Sequence, residues 1–222
     1  MAIDRARLLD QFLAYVQIPS AANPDTTDYP SSEGQRELGR LLVRQLRDLG
    51  LQEVRQNQFA LVTATIPATP GVDCPVVALN AHLDTSPEAS GEGVQPQVIR
   101  DYAGGDIELP GDPNQTIRVG DNPELQDLHG CTLITTDGTT LLGGDDKAGV
   151  AIIMEAAAQL MEHPGLRHGE IRLLFTCDEE IGRGVDRVEL DELSAHVCYT
   201  LDGPGANAID VETFSADEAT VT

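Results

Sequence analysis

The feature that most constrains this chain is a set of apolar runs that each end in acid. They are "CPVVALNAHLD" (74–84), "EIRLLFTCDEE" (170–180) and "HVCYTLDG" (196–203). A strand with one wet face alternates apolar and polar residues. A strand that stays apolar at consecutive positions is one buried on both faces, in a sheet covered by helices. Helical patterns separate these runs. Leu8, Leu9, Phe12, Leu13 and Val16 repeat at helical spacing, as do Leu38, Leu41, Leu42, Leu46 and Leu49, with Gly50 as a stop signal. "DKAGVAIIMEAAAQLME" (146–162) is Ala-rich and apolar on most sides, and "FALVTATI" (59–66) reads as a further strand. The order predicts an α/β fold with a mixed, largely parallel sheet flanked by helices. Three local signals add detail. Ser32-x-x-Gln35 is a capping-box pattern. "TLITTDGTTLLGG" (132–144) reads as a hairpin turning at Asp137-Gly138. Residues 85–127, rich in Gly, Pro, Asp and Asn, read as a long irregular excursion of the kind that serves function.

Composition excludes several functions. The 222 residues suit one large domain, or one plus a fragment. No apolar run approaches the roughly 20 residues that span a bilayer, and the polar start "MAIDRARLLDQF" lacks the parts of a signal peptide. The expected location is the cytoplasm, with no membrane partner. A formal net charge of −23 argues against nucleic acid, which requires a basic footprint. The four cysteines form no CxxC pair, and three sit in apolar, strand-like contexts, so buried free thiols are expected.

Four acid or histidine clusters remain: His82 with Asp84, Asp145 with Asp146, Glu179 with Glu180, and Asp202. Three sit where a strand ends, and the fourth, in "LLGGDDKAG", lies between a strand and a helix start. In an open α/β sheet, sites form at the carboxyl ends of the strands. Carboxylates gathered there repel one another, which raises their pKa values, and divalent cations remove that cost. Each cluster alone also describes something plainer: a polar strand end, a helix N-cap favoured by the dipole, or a solvated loop. Their conjunction in this order points to a metal centre, where histidine plus carboxylates is ordinary zinc ligation. His163, His168 and His196 lack such a setting and read as surface residues.

"AHLDTSP", "TLITTDGTTLLGGDDKAG", "FTCDEEIGRG" and "YTLDGPG", with "PSSEGQRELGRLL", "YAGGDIEL" and "ETFSADEA", resemble the M20 metallopeptidases in the same order over nearly the whole chain. The resemblance implies a zinc-peptidase-like catalytic domain that binds two zinc ions. His82, Asp145, Glu180 and Asp202 would be the metal ligands, with Asp145 bridging. Asp84 would hold the other imidazole nitrogen of His82. Glu179 would be the general base, and the Asp145–Asp146 bond would be cis. The implied activity is removal of the N-terminal residue of short peptides, tripeptides among them. A carboxypeptidase, dipeptidase or deacylase with the same metal core is the alternative, as is a metal-binding fragment without turnover. Complete family members carry an inserted domain for dimerisation and substrate grip, and a last metal-binding histidine. The chain is thus expected to be truncated, with 1–208 catalytic and 209–222 the start of that second domain. A homodimer would need that domain.

Overall fold

The computed structural model describes residues 3–203 and 208–210. In chain order its elements are α1 (Arg5–Val16), α2 (Glu33–Asp48), β1 (Gln52–Gln56), β2 (Val62–Ile66), β3 (Val77–His82), β4 (Gln97–Ile99), β5 (Ile107–Glu108), β6 (Thr116–Ile117), β7 (Leu133–Thr135), α3 (Gly144–Glu162), β8 (Ile171–Thr176), α4 (Leu190–Leu193) and β9 (Val197–Thr200). The main sheet has the order β1-β2-β8-β3-β9. β1, β2 and β8 pair antiparallel, whereas β8, β3 and β9 run parallel. The mixed α/β architecture expected from the strand runs is therefore present.

Burial is less symmetrical than the apolar runs suggest. Val62, Ala64, Ile66, Leu173, Phe175 and Ala81 share one core with Phe12 and Val16 of α1, Leu38, Leu42 and Leu46 of α2, and Val150, Ile153 and Met154 of α3. All three long helices thus cover one face, and hydrophobic burial there supplies the main driving force. The intervening residues Thr63, Thr65, Arg172 and Asn80 belong to the second face. There, among the described residues, Ala78 and Leu174 cluster with Leu193 of the one-turn α4 and two partly buried neighbours, Val188 and Ala195.

Several local expectations are corrected. Ser32 is the N-cap of α2, but its side chain makes no cap hydrogen bond. Gln35 Nε2 donates to Ser32 Oγ at 3.2 Å and, more closely, to Asp178, 143 residues away, at 2.7 Å. The hairpin at Asp137-Gly138 does not form: β7 pairs antiparallel with β4 of the excursion. Thr136 and Asp137 side chains hold the turn themselves, accepting from the backbone N–H of Gly138 and Thr139. The excursion has a small core of its own in Tyr102, Ile107 and Leu125. Only Cys177 is a buried thiol; Cys74, Cys131 and Cys198 are exposed, because they lie in connections or on the edge strand β9. Residues 211–222, most of the expected second-domain start, lie outside the described residues. Among the described residues no helix is long and apolar enough to cross a membrane.

Candidate metal centre

The parallel strands end together. His82 lies opposite Thr176 of β8, and Asn80 lies opposite Thr200 of β9. The residues that follow, Asp84, the Asp178–Glu180 turn and Asp202, therefore emerge at one sheet edge. The first turn of α3 meets them there. The Asp146 carboxylate accepts the backbone N–H of His82 at 3.0 Å through Oδ2, and that of Gly149 at 3.2 Å through Oδ1. The Asp145–Asp146 bond is cis. Gly149 permits this contact, because a Cβ there would lie 2.3 Å from the Leu201 carbonyl oxygen and 2.2 Å from Asp146 Oδ1. Gly143, at φ +73, adopts a left-handed conformation that favours glycine just before the helix.

His82, 1% exposed, sits at the centre. Its Nε2 is 3.0 Å from Asp145 Oδ1, 3.8 Å from Asp202 Oδ2 and 3.9 Å from Glu179 Oε2. One potential ligand atom from each of His82, Asp145 and Asp202 lies within 4.8 Å of the others. Glu180 stands on the same turn as Glu179 but is not among these three. The other ring nitrogen of His82, Nδ1, is 3.0 Å from the Asp84 carbonyl oxygen and 3.4 Å from its carboxylate. An Nδ1–H donated to that carbonyl leaves Nε2 as the ligand atom. The Asp84 carboxylate, fully buried, accepts the backbone N–H groups of Glu179 and Glu180 at 3.1 and 3.0 Å. Asp84 thus joins the imidazole to the acidic turn.

Charge crowding and burial shift the pKa values of the cluster. Burial lowers the pKa of His82, but the hydrogen bond and charge of Asp84, with Asp146 and Asp202, outweigh it and raise the pKa to about 10. Burial pushes Asp146 up to about 7, against the pull of His82. Asp202 rises to about 6, through burial and the charges of Asp145 and Glu179. Glu180 is also raised, by burial first and then by Asp145. A divalent cation would replace these protons, and an imidazole with carboxylates is a donor set that suits one. The residues present therefore fit a metal ion.

Three further groups around the site, two buried and one half-buried, carry no signal in the sequence. Asp178, the first acid of "CDEE", accepts from Ser31 N–H and from the Gln35 side chain, and its own N–H donates to Gln35 Oε1 at 3.0 Å. Lys147, 2% exposed, donates to the Ile18 carbonyl at 2.7 Å, and burial lowers its pKa to about 8 against the opposing charge of Asp84. Tyr29 donates to the Cys177 carbonyl at 3.0 Å. Each partner is more than 125 residues away, so no sequence spacing announces it.

Residues 136–211 match the model of Peptidase family M20/M25/M40. A Peptidase T of Geobacillus thermodenitrificans is 43% identical over 218 residues, which is 98% of this chain and 53% of that relative. Among solved structures, the aminopeptidase PepT from Bacillus cereus superposes with a TM-score of 0.65 at 28% identity, covering 91% of this chain and 44% of that one. A tripeptidase from Staphylococcus aureus gives a TM-score of 0.63 at 26% identity, with the same coverage of each chain. The chain spans about half the length of the curated relatives it matches.

Proposed function

We propose that this chain is part of an M20 peptidase whose acidic edge binds zinc. The whole protein in this reading is an aminopeptidase that removes the N-terminal residue of short peptides such as tripeptides. The observation that carries the reading is the convergence of His82, Asp145 and Asp202 within 4.8 Å, with the Glu179 carboxylate 3.9 Å from His82 Nε2. Peptidase T, PepT and tripeptidase relatives support the choice of substrate class.

His82, Asp145, Glu180 and Asp202 would hold the zinc. Zinc, when bound, supplies Lewis acidity toward a peptide carbonyl and toward water. Glu179 takes a proton from the water that attacks the carbonyl carbon. It returns that proton to the amine that leaves as the C–N bond breaks. Asp84 keeps the imidazole oriented through its carbonyl and keeps the Glu179 and Glu180 amides in place through its carboxylate.

The test uses the protein as its gene encodes it, loaded with zinc and given tripeptides with a free or an acetylated N-terminus. Release of the first residue from the free peptide alone is the expected result. Cleavage of the acetylated peptide, or release from the C-terminus, would overturn the aminopeptidase reading.

A further inference from the structure

The buried connection between α2 and the acidic turn does work that neither the strand-end acids nor the metal ligands account for. Asp178 is fully buried and holds a left-handed conformation, φ +60, although it is not glycine. Its carboxylate accepts from Ser31 N–H at 2.9 Å, from the Ser31 hydroxyl, and from Gln35 Nε2 at 2.7 Å. The amide of Gln35, also fully buried, closes a two-way bond by accepting Asp178 N–H at 3.0 Å. On the other side of the turn, Gly182 N–H and Arg183 N–H close back on the carbonyls of Glu179 and Asp178 at 2.7 and 2.8 Å. Glu179 follows Asp178 directly, yet its own carboxylate is half exposed and lies 3.9 Å from His82 Nε2. Its position is set by its backbone, which Asp84 holds at the Glu179 N–H and the Gln35 pair holds one residue earlier, at Asp178.

We propose that Gln35 and Asp178 are positioning residues that aim the Glu179 carboxylate through their paired side-chain and backbone hydrogen bonds. The Gln35 side-chain oxygen, which a capping box would turn to the N-cap N–H, is taken by the Asp178 N–H, while Nε2 reaches both Asp178 and Ser32 Oγ. The inference rests on the reading of Glu179 as general base. Misplacing a catalytic group by about 1 Å costs up to about 100-fold in rate.

The experiment is steady-state peptide hydrolysis by the zinc-loaded protein as its gene encodes it, at high enzyme concentration. Asp178→Ala and Gln35→Met are each made alone and in a Glu179→Ala background. Gln35→Met, close in volume, preserves the test should Asp178→Ala not fold. The expected result is a fall in kcat of about 10- to 100-fold with KM within about twofold, and zinc content unchanged. In the Glu179→Ala background, the same substitutions should cause no further fall. Equal losses in both backgrounds would make the pair general structural support and overturn the positioning role. Full activity of Glu179→Ala alone would instead remove the base reading itself, and the positioning role with it.

Discussion

The buried floor of the acidic edge and its exposed rim are built from the same kind of residue under opposite conditions. Asp84, Asp146 and Asp178 are at most 3% exposed, and each carboxylate accepts at least one backbone N–H. Asp145, Glu179 and Asp202 face outward, and among the described residues none of their carboxylates accepts a backbone N–H. A buried carboxylate is tolerated when hydrogen bonds replace its water. The floor acids therefore tie strand ends, turn and helix into one shape. The rim acids are left crowded around Nε2 of His82, which is the condition a cation relieves. The teaching is that acid count alone does not define a metal site; the division between pinned and unpinned carboxylates does.

The comparison predicts that rim substitutions cost activity and floor substitutions cost stability as well. The largest effect is expected for Glu179→Ala: kcat for tripeptides falls by about 10²–10⁴-fold. Its unfolding free energy from urea titration should change by no more than about 0.5 kcal/mol. A large loss of stability there would erase the distinction. Next is Asp84→Ala, which strands the Glu179 and Glu180 amides and removes the carboxylate 3.4 Å from His82 Nδ1, while the backbone carbonyl that orients the ring remains. Denaturant titration should show a loss of about 3 kcal/mol, and chelator competition should show metal affinity reduced about 10- to 100-fold. Gly149→Ala sharpens the account of how α3 reaches the edge. It forces the helix away from Leu201 and should cost about 2 kcal/mol by the same titration.

The smallest effect lies outside the edge. Glu155, buried on α3, accepts from Arg7 at 2.6 Å, from Gln159 at 2.7 Å and from Asp4 N–H at 3.0 Å. Burial raises its pKa, but these bonds outweigh burial and hold it below the usual carboxylate range. A carboxylate with a lowered folded pKa stabilises above its unfolded pKa of about 4.3. That contribution fades as pH falls through the folded value. Glu155→Gln should therefore be about 1 kcal/mol less stable than the wild type at pH 7. The gap should close below about pH 4, as thermal melts across pH would record.

The strand ends were legible because "VVALNAH" and "IRLLFT" are apolar runs that stop at acids, and a run that long has few alternatives to a strand. α3 was legible because residues 146–162 form a long Ala-rich segment, apolar on most sides, that suits a helix. β1 was not: "QEVRQ" is a mostly exposed edge strand whose pairing with β2, rather than its own pattern, makes it a strand. The failed hairpin teaches the same lesson, since Leu133–Thr135 prefers β4, more than 30 residues earlier, to its sequence neighbour. Asp137-Gly138 does turn the chain, but a turn does not choose a strand's partner. In the site, the acids at strand ends could be placed from sequence, because topology alone brings them together. Asp178 and Gln35 could not, because their importance exists only across the fold.

The most direct test of the account is the zinc content of the protein after exhaustive dialysis against metal-free buffer, measured by mass spectrometry of the element. Wild type, His82→Ala and Asp145→Ala are compared. The account predicts stoichiometric zinc in the wild type and its loss in both variants, with each variant still folded by circular dichroism. Zinc at background level in the wild type, or undiminished in Asp145→Ala, would contradict it.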